Sequence, residues 1–442
     1  MVRIGPMTSP KSLLDRRELI AGFGAAVLSP ILPATASAQG RPSLKLQAKA
    51  DSVALRPGVP ETPVWSLRGP DLTFKRGDTV EIAFENELPV PAVLNWRGID
   101  GASAAEPLTA RAPLAIGGTE ALQLPLRHAG TLLCQLGLLG DGAGRPSRSR
   151  ALVVGESETV SVDRDEVFLI EDWRVRPDGS AIAPESDSRD TIAVYTINGR
   201  TSFDISARPH ERIRLRFINA CQRSVIAIKL ENVDVRVMAL DSQPAEPFPA
   251  RNGALVMAPG GRADTFIDVT ASAGTACSIL LHDGKEPRPI GRLVVSNEPP
   301  IRSAPLPPAP PLPSNGLPAQ LDLKGALRFD VALGGASADW VTPASFSASA
   351  RPAFRAKAGR TVVLALTNRA TIATVFNLHG HHFRLLDRLD DGWKPFWLDT
   401  LAIEPGQTQR IAFSAEYAGR WLIESVATDW AAPRMLRWYS IE

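Results

Sequence analysis

Early in the chain the sequence runs Leu72-Thr73-Phe74-Lys75-Arg76-Gly77-Asp78-Thr79-Val80-Glu81-Ile82-Ala83-Phe84. Apolar and polar residues alternate on either side of its Arg-Gly-Asp turn, which is the pattern of strands with one buried face. The stretch therefore predicts strand, turn and strand in a half-buried sheet.

The same arrangement occurs three times. In each copy a turn leads into a strand that ends in asparagine: Arg76-Gly77-Asp78-Thr79-Val80 to Asn86, Pro209-His210-Glu211-Arg212-Ile213 to Asn219, and Ala358-Gly359-Arg360-Thr361-Val362 to Asn368. A repeat this long indicates domain duplication, not a solenoid. The sequence therefore predicts an all-β fold of three tandem β-sandwich domains, at 39–158, 159–298 and 321–442.

Composition is that of a soluble globular protein. The chain has 442 residues, of which 44% are hydrophobic and 22% charged, with a net charge of +2. A net charge this close to zero does not indicate binding to nucleic acid. Prolines and glycines are spread throughout, which favours many short strands joined by turns.

The first 38 residues have the features of an export signal. Arg16-Arg17 precedes a weakly hydrophobic run from Leu19 to Leu32, and Ala36-Ser37-Ala38 offers a small-x-small cleavage site. The pattern favours a twin-arginine signal over a general secretory signal that happens to carry two arginines. We therefore expect export by the twin-arginine translocase and a periplasmic, soluble mature protein, because no run is long enough to span a membrane.

Prolines cluster between the second and third predicted domains, at 299–320. Because proline cannot donate ladder hydrogen bonds, we expect a semi-rigid linker, with a docking peptide as the alternative. Three cysteines, Cys134, Cys221 and Cys277, leave at least one free thiol. Cys221 and Cys277 fall in one predicted domain and could pair, but the sequence does not decide this.

The three-domain plan resembles the multicopper oxidases, which are built from three cupredoxin-like Greek-key sandwiches. The resemblance rests on Thr62 to Val80 in the first domain and on Leu255-Val256-Met257-Ala258-Pro259-Gly260-Gly261-Arg262-Ala263-Asp264 in the second. In the third domain it rests on Asn377-Leu378-His379-Gly380-His381, Glu404 to Ile411, and Gly419-Arg420-Trp421-Leu422. It covers nearly all of the chain after the signal.

The resemblance also identifies the positions where that family binds copper. Four His-x-His pairs there build a three-copper cluster, and a cysteine, two histidines and usually a methionine build a blue-copper site. In this chain the cluster positions are Asn95, Arg97, Gln135, Gly137, Asn377, His379, Glu424 and Val426. The blue-copper positions are Thr374, Ser425, Trp430 and Met435.

Only His379 and Met435 keep the family's ligand type. The resemblance therefore implies a chain without catalytic residues, copper or another cofactor. A new metal site could use His379 and His381, which would share one face of a strand, whereas His382 would point the other way. The competing interpretation is that His379 and His381 are packing residues and His382 lies at the surface.

The replacements look complementary. We predict an ion pair between Arg97 and Glu424 across the interface of the first and third domains, hydrogen-bonded with Asn95, Gln135, Asn377 and His379. At the blue-copper position, we predict that Trp430 packs on Met435 as an apolar plug.

These features predict a non-catalytic scaffold or interaction protein with an unidentified periplasmic protein partner. In signal, domain plan and ligand loss the chain resembles a copper-free periplasmic branch of the family that stabilises the cell-division machinery. Two alternatives remain open: an oxidoreductase that binds copper through atypical ligands, and a small-molecule binding protein that uses the vacated interdomain cavity. A filled interface would count against the second alternative.

Overall fold

The computed structural model describes residues 42–56, 58, 60–139, 145–334, 339–387 and 392–442. The predicted export signal lies outside these residues. Residues 41–442 form one compact unit. Strands dominate the described chain, which contains no α-helix but three short 3-10 turns at Ser103–Ala105, Arg251–Gly253 and Pro343–Ser345. The predicted all-β class is confirmed, and no described helix is long and apolar enough to cross a membrane.

Eight strands form the first pair of sheets, here called the first sandwich. They are β1 (Ser43–Val53), β2 (Thr62–Arg68), β3 (Thr73–Lys75), β4 (Thr79–Asn86), β5 (Ala92–Arg97), β6 (Thr119–Pro125), β7 (Gly130–Leu138) and β8 (Ser149–Gly155). The sheet orders are β2-β1-β4-β6 and β3-β8-β7-β5. The turn at Arg76-Gly77-Asp78 therefore joins the two sheets, since β3 and β4 do not pair with each other.

The second sandwich has twelve strands. They are β9 (Arg164–Val175), β10 (Ala181–Ile182), β11 (Ile192–Ile197), β12 (Phe203–Ala207), β13 (Arg212–Asn219), β14 (Ile226–Leu230), β15 (Val235–Leu240), β16 (Gln243–Pro249), β17 (Ala254–Met257), β18 (Arg262–Asp268), β19 (Ala276–His282) and β20 (Arg288–Val295). One sheet has the order β10-β9-β13-β18-β15-β16, with β11 also on β9, and the other has the order β12-β20-β19-β14-β17.

The third sandwich has nine strands. They are β21 (Leu327–Leu333), β22 (Arg355–Ala356), β23 (Thr361–Asn368), β24 (Thr374–Leu378), β25 (Arg384–Leu385), β26 (Thr400–Ile403), β27 (Thr408–Ser414), β28 (Gly419–Ala427) and β29 (Arg434–Ile441). The sheet orders are β21-β23-β27-β25 and β22-β29-β28-β24-β26. Each sandwich has its own apolar core, to which both of its sheets contribute.

The repeated asparagines have the same role in all three sandwiches. Asn86, Asn219 and Asn368 are fully buried at the ends of β4, β13 and β23. Each side-chain nitrogen donates to at least two backbone carbonyls, and each side-chain oxygen accepts from the amide two residues later. The asparagine thus satisfies backbone groups where the ladder ends, which explains why the sequence repeat is strongest there.

The segment 299–320 contains no strand, as its prolines require. It is tied to the body at Asn315, which is 5% exposed. The Asn315 amide donates to the Ala129 carbonyl at 2.8 Å and accepts from the Ala129 amide at 2.9 Å. Among the described residues all three cysteines are buried free thiols, so Cys221 and Cys277 do not pair.

Candidate functional site

One carboxylate, that of Glu424 on β28, organises the interface between the first and third sandwiches. Its Oε2 accepts from Arg97 Nη2 at 2.7 Å and from Arg434 Nη1 at 2.7 Å. Its Oε1 accepts from Asn95 Nδ2 at 3.0 Å and lies 2.8 Å from His379 Nε2. We call these five residues the Glu424 cluster.

Strand register explains why these side chains meet. Asn95 and Arg97 alternate on β5, and Gln135 lies directly opposite Asn95 on β7, so that its Oε1 accepts from Arg97 Nε at 2.6 Å. On β28 the partner of Glu424 across the ladder is Leu436 of β29. Arg434 is two residues from Leu436 on the same face, which brings its guanidinium to the carboxylate.

Burial makes this cluster electrostatically strong. The Glu424 and Arg97 side chains are 2% and 6% exposed, whereas Arg434 is 24% exposed. Burial alone would raise the pKa of Glu424, but Arg97, Arg434 and His379 hold it well below its usual value. Burial would lower the pKa of His379, but the carboxylates of Glu106 and Glu424 raise it to about 9. At neutral pH Glu424 is therefore ionised and His379 is an imidazolium.

The predicted partners of the ion pair do not all contact it. Arg97, Glu424, Asn95, Gln135 and His379 come together. Asn377 lies directly opposite Glu424 in the β24–β28 ladder, but its side-chain amide donates to Thr400 Oγ1 at 2.6 Å. Asn377 thus has a ladder partner on each side, Glu424 on β28 and Thr400 on β26, and its amide bonds to the Thr400 hydroxyl.

Thr374, Ser425 and Trp430, at three of the blue-copper positions, are buried, and Met435 is partly buried. The packing of Trp430 on Met435 stays a prediction. Trp430 donates from Nε1 to the Ala183 carbonyl at 3.0 Å, and the guanidinium of Arg174 stacks over its ring at 5.0 Å. Its described partners thus belong to the second sandwich. Met435 packs against the core of the third sandwich and lies opposite Ser425 in the ladder.

Thr374, the remaining blue-copper position, donates from Oγ1 to Asn368 Oδ1 at 3.2 Å. The other two cluster positions carry no polar side chain. Val426 is 4% exposed, and Gly137 lies on β7 beside a cavity.

His382 is buried, so its predicted position at the surface is wrong. β24 ends at Leu378, so strand alternation no longer holds beyond it, and Gly380 turns the chain with a φ of 74°. His381 enters the core of the third sandwich, where its Nδ1 lies 2.8 Å from the Tyr439 hydroxyl. His382, 3% exposed, enters the junction of the three sandwiches.

His382 belongs to a second buried cluster that has no counterpart in the sequence analysis. Its Nδ1 lies 2.8 Å from Asp100 Oδ2, and its Nε2 donates to the Asp241 carbonyl at 2.7 Å. Arg262 donates to both carboxylate oxygens of Asp399, at 2.8 and 2.7 Å. These five residues, called the Arg262 cluster, join all three sandwiches. Arg262 lies in one of the motifs that carry the family resemblance, but no motif indicates its partners, because they come from distant segments.

One group in this region offers a metal ion three ligands. Asp100, His128 and His382 each present one ligand atom, all within 4.8 Å of one another, and all three residues are buried. His379 and His381, the alternative pair for a new metal site, are not brought together, since His379 faces Glu424 and His381 faces Tyr439. Asp100, His128 and His382 are the single metal-binding candidate group found in the part of the chain that the structure describes.

Comparison with known proteins points to one class. A family model described as "Multicopper oxidase" matches residues 320–442. The Multicopper oxidase MmcO of Mycobacterium tuberculosis is 24% identical over an alignment of 413 residues that covers 81% of this chain and 78% of that protein.

Solved structures agree in fold. The multi-copper oxidase from Pseudomonas thermotolerans superposes with a TM-score of 0.77 at 23% identity, covering 90% of this chain and 99% of that one. McoA multicopper oxidase from Aquifex aeolicus gives 0.75 at 15% identity, covering 90% and 96%.

The comparisons therefore show similarity of this chain to multicopper oxidases, over residues 320–442 for the family model and in the fold, with its cupredoxin-like domains, for the solved structures. They do not support the expectation that it has no cofactor, since multicopper oxidases use copper.

Proposed function

We propose that this chain is a multicopper-oxidase-like protein that has lost its copper ligands and acts as a non-catalytic scaffold or interaction protein. The convergence of four donors on the Glu424 carboxylate is the observation that carries the proposal. These donors lie at or beside the positions that the resemblance assigns to copper ligands.

The chemistry of these residues does not fit a copper cluster. Copper at such sites is bound by neutral imidazole nitrogens and by a thiolate. Arg97 cannot lose its proton, so its guanidinium has no lone pair to offer and repels a cation. His379 has a carboxylate oxygen 2.8 Å from each ring nitrogen, Glu106 at Nδ1 and Glu424 at Nε2. We therefore derive no oxygen chemistry at this interface.

The competing function is that of a copper-dependent oxidoreductase with atypical ligands. It is favoured by the names of the relatives and by the group Asp100, His128 and His382. That group offers three ligands, which is enough for one metal ion, whereas the family's chemistry needs a three-copper cluster and a blue copper. A single copper ion there would not restore the reaction.

Copper content and oxidase activity decide between the two functions. We expect the purified chain, reconstituted with copper and desalted, to hold at most one ion by mass spectrometry and not to oxidise a phenolic dye. In His128→Gln, copper held by Asp100, His128 and His382 would be lost. Several ions per chain together with turnover would overturn the proposal.

We further propose that the protein is exported by the twin-arginine pathway and acts on a protein partner in the periplasm, as the copper-free division protein SufI, also called FtsP, does. The support is the resemblance in signal, domain plan and ligand positions. A fluorescent fusion exported by residues 1–38 tests this role. Enrichment at the division septum is expected, and an even periplasmic distribution would contradict it.

A further inference from the structure

A cavity of about 140 Å³ lies where the three sandwiches meet, beside the Glu424 cluster. Each sandwich contributes to its wall, the first with Asn95, the second with Arg223, and the third with Arg434. The neighbouring space between Arg97 and His379 measures only about 10 Å³ and is thus filled. The interface is therefore closed at the ion pair and open beside it. We call the open space the junction pocket.

A buried cation with a distant counter-ion lines this pocket. The Arg223 side chain is 3% exposed, and its nearest carboxylate, Glu185, is 3.9 Å away. Its guanidinium otherwise donates to the carbonyls of Ala432 and Gln222, both at 2.9 Å. Burial and the nearby Arg434 lower the pKa of Arg223 to about 10. An anion in the pocket would relieve this desolvated charge.

An unpartnered acceptor lines the same pocket. Asn95 is 7% exposed, and its Oδ1 is buried without a donor among the described residues. Rotating the side-chain amide to exchange Oδ1 and Nδ2 would not remove this unpaired acceptor, because Nδ2 must face the ionised Glu424. A ligand that brings a hydroxyl group to Asn95 would supply the missing donor.

The remaining wall combines apolar side chains with polar ones, which include Gln135, Arg145 and the carboxylates of Glu185 and Glu424. Leu136, Leu422 and Leu436 form part of its apolar surface. The volume is close to the ~150 Å³ of an apolar cavity that accepts benzene. We propose that the junction pocket binds a small hydroxylated aromatic carboxylate, with its carboxylate at Arg223 and Arg434, its ring on the leucines and its hydroxyl donating to Asn95. This goes beyond the proposed function and does not depend on the copper content of the chain.

Calorimetric titration with 4-hydroxybenzoate in the presence of EDTA tests the proposal. We expect a Kd below ~1 mM, with the uncharged 4-hydroxybenzamide at least tenfold weaker and benzoate, which lacks the hydroxyl, a fewfold weaker. Undetectable 4-hydroxybenzoate binding, or equal affinity for all three probes, would overturn the proposal.

Two variants locate the binding independently. Arg223→Met removes the charge, and Gly137→Val fills the pocket from β7 without altering any charge. A Cβ at Gly137 would lie 3.5 Å from its nearest neighbour, the Val93 carbonyl, so the backbone has room for it. Both variants should weaken 4-hydroxybenzoate at least tenfold, while the exposed Arg292→Gln should not change it. Thermal melts check folding, and unaltered affinity in Gly137→Val alone would place any binding elsewhere and refute the assignment.

Discussion

The two buried charge clusters differ in the sign of their net charge and in whether a pocket lies beside them. In the Glu424 cluster the cations Arg97, Arg434 and His379 outnumber Glu424, even with the neighbouring Glu106 included. In the Arg262 cluster the three aspartates outnumber Arg262 and the His382 imidazolium. Burial first, and then the Asp399 carboxylate, raises the pKa of Asp241 to about 6. Excess positive charge thus borders a pocket, while excess negative charge is sealed inside the structure.

The largest expected effect is the loss of the central cation of the sealed cluster. Arg262 has a fully buried side chain and a two-bond contact with Asp399, so Arg262→Met leaves the aspartates without their main counter-charge. We expect a loss of about 4–5 kcal/mol in the free energy of unfolding. Chemical denaturation measures it.

The matched control is Arg292→Met. Arg292 also contacts an aspartate, but its side chain is 59% exposed, so we expect a loss below ~1 kcal/mol. Equal losses in the two variants would mean that a buried ion pair contributes no more to stability than an exposed one.

Glu424→Gln should have the next largest effect. The substitution keeps the shape and one acceptor oxygen but leaves the buried Arg97 and the partly exposed Arg434 without this countercharge. We expect a loss of about 3–4 kcal/mol, smaller than at Arg262, because Arg434 can turn toward solvent. Glu442→Gln, at an exposed pair with Arg355, is the control and should cost less than ~1 kcal/mol. An unchanged melting temperature in Glu424→Gln would disprove the network.

The sequence revealed the Glu424 cluster only in part. Arg97 and Glu424 could be paired because the resemblance placed both at one interface. The β28–β29 register, in which Glu424 lies opposite Leu436, would have revealed Arg434. Strand register depends on how two segments pair, and no motif gives it. The Arg262 cluster could not be predicted, because Asp100 and His382 meet only when all three sandwiches pack. Local patterns determine strands and their faces, whereas contacts between distant domains depend on packing.

A third prediction concerns the pH dependence of stability, which the Arg262 cluster should control through His382. Burial would lower the pKa of His382, but Asp100 and then Asp399 raise it to about 9. Because this value exceeds the unfolded value of 6.5, the stabilisation is complete below about pH 6.5 and is lost as the pH rises through about 9. On the order of 3 kcal/mol should disappear over this window. The charged or titratable groups that face His382 are Asp100, His128, Asp241, Arg262 and Asp399.

Denaturation at a series of pH values, with EDTA present, measures this loss. In His382→Gln the decline between pH 6.5 and 9 should shrink by that amount, and His379 should account for part of what remains. His282→Gln, at an exposed histidine, should keep the full decline. A decline that is unchanged in His382→Gln would mean that the His382–Asp100 pair does not control it.

The smallest expected effect lies in the proline-rich segment, away from both charge clusters. The Asn315 amide donates to Ala129, Ser242 and Gln243, so it ties 299–320 to two sandwiches through neutral hydrogen bonds. Asn315→Ala should cost about 1–2 kcal/mol, because the backbone groups of Ala129 lose their partner while no charge is left unpaired. The exposed Asn297→Ala is the control and should cost less than ~0.5 kcal/mol. A loss at Asn315 as large as that of Glu424→Gln would mean that the linker, as much as buried charge, holds the sandwiches together.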